Sequence, residues 1–386
     1  MVPAFLGPRY GVVCEECRRP FFCGADGSLE RDFFTCPGCG FAENLVRSAR
    51  LLPGQRIVID RLTPGLAREP FQRFDPVVFR NPESPSRWNV KRIAAFPGET
   101  VAFQGGNLWI NGELYRKTLD EQRKTAIPYQ FGRWIDESMD GERRISFDPR
   151  EPIPHFAPLQ PFQRFLPLQT IATAAERRDA SFFSPRNPYN QLHFERREET
   201  QSLTDEILLT FPKRLLSDKH CEITISTKYE TIQVKKADAE SLTVRRNGQM
   251  FGIASIPAHT LVEISVIDRT FRLGDGQSTL LALPLPNDTD PRSAPETSPV
   301  VFTGPAASPD ATEFKELLEI RIDPPCADSQ NGWIVPENHY FVLGDNTPLS
   351  EDSRHWKEPF VPKNMILGIA RELQSPWERG RLARIL

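Results

Sequence analysis

No stretch of the sequence approaches the roughly 18 consecutive apolar residues that a membrane-spanning helix requires. Its beginning, MVPAFLGPRYGVVCEEC, lacks a basic start followed by an apolar core, so no secretory signal is expected there. Charge of one sign is not in excess. The 48 basic and 51 acidic residues leave a net charge of -3, too neutral for a nucleic-acid or anionic-membrane surface. The histidines, His155, His193, His220, His259, His339 and His355, are scattered without metal-ligand spacing and read as ordinary surface or core residues. No internal repeat is visible. These absences lead to the expectation of a soluble cytoplasmic protein with no transmembrane segment and no nucleic-acid partner.

What is present points to β structure. A chain of 386 residues exceeds one typical domain, so two or three units are expected. Its 36 prolines favour loops and edge strands over long helices, and 26 phenylalanines with many Ile/Val/Thr runs complete a mainly β reading.

Five of the seven cysteines fall within the first forty residues. Cys14/Cys17 and Cys36/Cys39 form two CxxC pairs separated by eighteen residues, the spacing of a zinc ribbon. Two such turns present four thiolates, enough for the tetrahedral shell of a structural zinc. A segment this short cannot hold its shape by core burial, so the metal supplies the folding energy. Docking of nucleic acid or protein is the functional alternative to a structural clip. Few basic residues surround the ribbon, which favours the clip. Cys23 is spare and reads as a small buried residue.

Beyond this ribbon, 1–43, short strands are expected in LLPGQRIVID, DPVVFR and NVKRIAAF, and a hairpin turns at Gly105-Gly106. Thr118 and Glu121 form a capping box for a short helix over 118–126. Residues 128–200 show no clear period. Alternating strands return from 205 to 276, with Asn247-Gly248 as a hairpin turn, and predict a β-sandwich over about 180–283. A Pro/Ser/Thr-rich linker is expected at 284–311, and strand, loop and strand again from 333.

Two distant segments then carry a resemblance. The first, 54–115, contains Lys91-Arg92 followed by Phe96-Pro97-Gly98-Glu99. The second, 335–370, contains Gly344-Asp345-Asn346, Ser350, Asp352-Ser353-Arg354 and Trp356. Their order and content resemble the lysine box and last box of the signal peptidase I family, serine endopeptidases with a Ser/Lys dyad. The resemblance implies one β unit split into 44–117 and 333–386, with 118–332 inserted. It implies Lys91 as general base and Ser350 as the hydroxyl that orients its amine. Arg92, Asp345, Asn346, Asp352, Ser353 and Arg354 would support the site, Asp352 and Arg354 by pairing across the loop. The chemistry is coherent, because a lysine serves as base only when burial keeps it neutral.

The family's Ser-Met-x-Pro segment has no counterpart. Val46 stands where its serine belongs, and Ser48 is the nearest hydroxyl, two residues later, a displacement of roughly 7 Å along a strand. Lys357 replaces the glycine expected after Trp356. Two readings follow. One is a leader-peptide-processing serine endopeptidase with Ser48 as nucleophile, working peripherally at the membrane. The other is a pseudo-peptidase scaffold that holds an extended peptide, with a protein or carbohydrate ligand on the inserted sandwich.

Overall fold

The computed structural model describes residues 8–18, 20–25, 33–34, 36, 41–45, 49–54, 56–62, 70–129, 133–148, 204–227, 230–238, 240–257, 261–285, 299–329, 331–347, 350–374 and 382–384. Ser48, Cys39 and the 180–203 portion of the expected sandwich lie outside these residues. The fold is mainly β. Among the described residues the α-helices are two short ones, Leu119–Thr125 and Ala311–Leu317.

One sheet draws on both ends of the chain. Its order runs Val361–Pro362, His339–Leu343, Ser84–Ala95, Pro76–Asn81 and Ile366–Gln374, with Arg56–Asp60 and Leu382–Arg384 both paired to Ile366–Gln374. Leu343 faces Arg92 and Val342 faces Ile93 across one antiparallel ladder; Val77 faces Lys91 across the next. Ile93, Val77, Phe79, Tyr340, Val342 and Trp356 fill a single apolar cluster, so both segments contribute to one core. A four-stranded sheet, Glu113–Leu114, Asn107–Ile110, Thr100–Gln104 and Trp333–Ile334, joins them again. Its Asn107–Ile110 hairpin turns at Gly105 and Gly106, both at positive φ (59° and 86°), which glycine adopts without strain.

Residues between these segments build two further sheets. The first has the order Ile127–Pro128, Glu319–Ile322, Ile207–Pro212, Leu261–Ile267, Thr270–Gly274 and Thr279–Pro284. The second has the order Arg133–Met139, Glu142–Asp148, Val300–Pro305, Glu222–Ser226, Thr231–Lys236, Ser241–Arg246 and Gln249–Ser255. Both bury side chains in one cluster, including Phe211 and Phe271 from the first and Ile223 and Phe302 from the second. Each fully buried phenylalanine contributes about 1.5–3 kcal/mol through removal of apolar surface from water. Asn247 and Gly248 turn the last hairpin at φ 49° and 80°, as their pairing in the sequence predicts.

Three local readings of the sequence meet the structure differently. The Thr118 hydroxyl accepts from the Glu121 N–H while the Glu121 carboxylate accepts from the Thr118 N–H, so the capping box forms as expected. The stretch 284–311, read as a linker, instead contains the strand Val300–Pro305 between Glu142–Asp148 and Glu222–Ser226. Its flanking Pro, Ser and Thr hid a short apolar run, Val300-Val301-Phe302, that the sheet buries. Within 128–200, read as without period, Arg133–Met139 and Glu142–Asp148 form a hairpin. Burial in Glu142–Asp148 is confined to its second half, Ile145 to Asp148, which erases the alternation.

Near the start, Pro20–Gly24, Arg9–Val13 and Arg50–Leu52 make a three-stranded sheet beside the cysteines.

Candidate active site and cysteine cluster

Ser84–Ala95 carries two adjacent basic residues, Lys91 and Arg92, with opposite destinations. Adjacent side chains on a strand point to opposite faces, so Lys91 and Arg92 separate. Arg92 is buried, donating from Nε to Asp345 Oδ1 at 2.7 Å and from Nη1 to the Phe74 carbonyl at 3.0 Å. Lys91 is only 8% exposed, and its Nζ donates to Ser350 Oγ at 2.6 Å. Burial pushes the Lys91 amine below its ordinary value. Asp352, Asp345 and Glu351 pull it upward and Arg354 adds to the lowering, but burial dominates. The pair therefore joins a hydroxyl to an amine biased toward its neutral form.

The loop after His339–Leu343 is held by charge and backbone together. Asp352 is fully buried; its Oδ2 accepts from the Gly344 N–H at 3.0 Å, and its Oδ1 accepts from Arg354 Nε at 2.8 Å. Ser353 Oγ accepts from the Val342 N–H at 2.9 Å, tying the returning loop to the strand it left. Gly344 is required by space. A Cβ there would lie 2.0 Å from Ser350 Oγ, 2.7 Å from Ser350 Cβ and 3.1 Å from Lys91 Nζ. Asn346 is buried beside Asp345, and Trp356 packs edge-on against Phe79 at 6.0 Å. The structure thus brings together Lys91, Arg92, Ser350, Asp345, Asn346, Asp352, Ser353 and Arg354. Ser48 lies outside the described residues, and no other serine hydroxyl among the described residues bonds the Lys91 amine.

Sequence reasoning missed two supports. Arg73 grips Glu99 with Nη1 and Nη2 at 3.1 and 2.6 Å and lies over the rings of Phe96 and Tyr115. Glu99 also accepts from the Phe96 N–H at 2.8 Å, which fixes the Phe96-Pro97-Gly98-Glu99 turn. Glu99 was visible in that box, but nothing in the local sequence selects Arg73 as its partner. The second support is a buried charge node. Lys117 Nζ reaches Asp268 Oδ1 at 2.8 Å and Asp323 Oδ2 at 3.0 Å, and Glu206 Oε1 accepts from the Asp268 N–H at 3.1 Å. Burial raises Glu206 well above its ordinary value, and neighbouring Asp268 and Asp323 raise it further. Burial also raises Asp323, against the pull of Lys117.

At the other end of the chain, the thiols of Cys14, Cys17 and Cys36 lie within 4.8 Å of one another, a group able to hold a metal ion. Cys17 Sγ and Cys36 Sγ are 3.7 Å apart. The Arg18 N–H donates to the Cys14 carbonyl at 3.0 Å and closes the first cysteine turn. Asn44 accepts from the Glu15 N–H and donates to the Phe34 and Phe41 carbonyls, linking that turn to the second. Cys39, the expected fourth ligand, lies outside the described residues. Cys23 is fully buried in the same cluster.

Among the described residues, no helix is long and apolar enough to cross a membrane. Comparison with known proteins converges on one family. The family described as signal peptidase, peptidase S26, matches residues 45–181 and 305–374, more than half of the chain. Signal peptidase I of Pseudomonas aeruginosa is 44% identical over 52 residues, covering 14% of this chain and 16% of the relative. Signal peptidase I of Pseudomonas fluorescens is 35% identical over 79 residues, 18% of this chain and 26% of the relative. That of Haemophilus influenzae is 34% identical over 68 residues, 18% of this chain and 19% of the relative. The chain therefore spans about a quarter or less of the length of these relatives. With the family match bracketing both the Lys91 strand and the Ser350 loop, the chain belongs to the signal peptidase family, peptidase S26.

Proposed function

We propose that the chain is a serine endopeptidase of the leader-peptide-processing type, with Lys91 as general base. The observation that carries this reading is the buried Lys91 amine, biased toward its neutral form and 2.6 Å from Ser350 Oγ. A neutral amine can accept the proton of a serine hydroxyl as that oxygen attacks a peptide carbonyl. Collapse of the tetrahedral species then returns the proton to the departing amine and leaves an acyl-serine for water to cleave. Ser350 orients Lys91, Ser48 serves as nucleophile, and Arg92, Asp345, Asn346, Asp352, Ser353 and Arg354 hold the loop. The substrate is an extended peptide laid along the site sheet by strand pairing.

A second reading has its own support. Ser48 stands two residues beyond the expected position, and Val46 occupies it. A hydroxyl outside hydrogen-bond reach of Lys91 leaves a base with nothing to activate. The chain then acts as a pseudo-peptidase scaffold for peptides. Cleavage of a fluorogenic leader-type peptide by the wild type, Ser48→Ala and Lys91→Met decides between them. The peptidase reading expects turnover lost in both variants. Binding without turnover in the wild type supports the scaffold, and turnover untouched by Ser48→Ala removes Ser48 as nucleophile.

The division of the chain belongs to the same proposal: a ribbon at 1–43, a split catalytic unit at 44–117 and 333–386, and an inserted sandwich with flanking loops at 118–332. Burial of both large sheets in one cluster supports the sandwich, and a protein or carbohydrate ligand is proposed for its outer faces. Structural zinc is the metal proposed for the ribbon. Zinc–sulfur bonds of about 2.3 Å in a tetrahedron set neighbouring sulfurs about 3.8 Å apart. The 3.7 Å between Cys17 and Cys36 fits that spacing, and Cys39 would complete the shell.

A further inference from the structure

The chain leaving Glu319–Ile322 runs through Asp323-Pro324-Pro325-Cys326 toward the active-site loop, and it is fastened at both ends. Asp323 receives Lys117 Nζ at 3.0 Å, and its N–H donates to the Glu206 carbonyl at 3.0 Å. The Cys326 N–H donates to the Gly106 carbonyl at 2.9 Å. Two consecutive prolines fix φ between those points, so this strut is stiff. Gly106 approaches it closely, since a Cβ there would stand 3.0 Å from Pro325 Cβ.

Thr347, a buried residue of the active-site loop, meets the strut. Its hydroxyl is shared between the Pro324 carbonyl at 2.7 Å and the Pro325 carbonyl at 3.0 Å. Its own carbonyl accepts from Arg354 Nη2 and, at 3.4 Å, from the Ser350 N–H. Thus one residue touches the inserted sheets' exit on one side, and the backbone of Ser350 and the partner of Asp352 on the other. Beside this contact lies a cavity of about 50 Å³ lined in part by Arg92, Lys117, Asp323, Gly344, Asp345 and Thr347. Asp345 Oδ2 is buried with no hydrogen-bond partner among the described residues. The loop is therefore not packed tightly against the strut everywhere, and the Thr347 hydroxyl carries much of the connection.

We propose that Thr347 is a positioning residue through which the Asp323–Cys326 strut, and with it the inserted sheets, holds the Lys91–Ser350 pair in place. The proposal rests on Lys91 being the site's base but not on turnover. Removing the hydroxyl leaves two proline carbonyls unsatisfied, releases the loop and lets water reach the Lys91 amine. The amine then titrates closer to an ordinary lysine. The charged groups facing Lys91 are Asp352, Asp345, Arg354 and Glu351. Asp323 is bound to Lys117 and Glu206, and direct loss of its negative charge would lower the Lys91 amine, so a rise in Asp323→Asn reports release through the strut.

The test is the titration of Lys91 in the full chain by NMR of 13C-labelled lysine, the resonance assigned with Lys91→Arg. Thr347→Val is expected to raise the midpoint by about one pH unit, a tenfold loss of neutral amine at a given pH. Thr347→Ser is expected to restore it, and Asp323→Asn to raise it less than Thr347→Val does. A Thr347→Val midpoint equal to the wild type, or Thr347→Ser displaced as far as Thr347→Val, overturns the proposal. If Thr347→Val does not fold, Asp323→Asn decides alone, and an unchanged midpoint there overturns it. A wild type that cleaves no peptide yet shows these shifts counts against the peptidase reading and leaves this one standing.

Discussion

Gly344 has no side chain where Ser350 has one: a Cβ on Gly344 would stand 2.0 Å from Ser350 Oγ and 2.7 Å from Ser350 Cβ. Rotating the Ser350 hydroxyl away would relieve the first contact but not the second, so the loop backbone itself must move. Gly344→Ala is therefore expected to destabilise the chain by about 1–3 kcal/mol. It should also separate Ser350 from Lys91. Urea denaturation measures the first effect, and an unchanged midpoint would show that the loop yields without cost.

Lys91 gives a dependence on pH with a definite direction. Its folded value lies below 10.5, so between that lowered value and 10.5 the folded chain binds fewer protons there than the unfolded chain. Stability at this position rises with pH across that window, and the full cost of the buried charge is present below it. Lys91→Met keeps the length and removes the charge. Its stabilising effect should be largest in the more acidic range and shrink as pH approaches 10.5. Urea midpoints of both proteins across the range check this; a difference independent of pH would contradict it.

Glu206 acts in the opposite sense. Its folded value lies well above 4.5, so the folded chain binds more protons there between 4.5 and the raised value. Stability at this position falls as pH rises through that window. The charged groups around it are Asp268, Asp323, Lys117 and Asp205. Glu206→Gln keeps an acceptor for the Asp268 N–H and should flatten the slope, leaving the variant more stable than the wild type at neutral pH. If the slope survives in Glu206→Gln, Asp323, which burial also raises, is the group responsible. Lys117→Met is the contrasting change. It strips the ammonium from two buried carboxylates and should cost about 3–5 kcal/mol.

The cysteine cluster predicts a metal content. One zinc per chain is expected by elemental analysis, with loss of that zinc in Cys17→Ser. Chelation should loosen the three-stranded sheet of Pro20–Gly24, Arg9–Val13 and Arg50–Leu52 while leaving the Lys91 titration unchanged. Full zinc retention in Cys17→Ser would exclude that thiol from the shell.

The clustering of the candidate site was legible because its residues keep a fixed order within short boxes. Lys91 and Ser350 could be named from their neighbours alone, and the Thr118 and Asn247 signals are local by nature. The charge node was not legible. Lys117, Glu206, Asp268 and Asp323 lie in four separate segments, and each reads by itself as an ordinary surface charge. Only the pairing of Ile207–Pro212 with Leu261–Ile267 and Glu319–Ile322 brings their ends together. The strand Val300–Pro305 escaped for a different reason, since composition averaged over a window conceals six residues whose burial is decided by neighbours in the sheet.

The interleaving of early and late strands also fixes an order of events during synthesis. Lys91 and Ser350 are 259 positions apart, and the strand that carries Lys91 has no partner on one side until His339–Leu343 is made. The two large sheets form from residues in between, so they can fold on the ribosome while the Lys91 strand still waits with an open edge. Ring closure over so long a span is slow, yet folding of the intervening sheets pairs Ile127–Pro128 with Glu319–Ile322 beforehand and shortens the effective loop. The Lys91–Ser350 pair is thus assembled last, and a nascent chain carries its lysine in water, fully charged, until the final strands arrive.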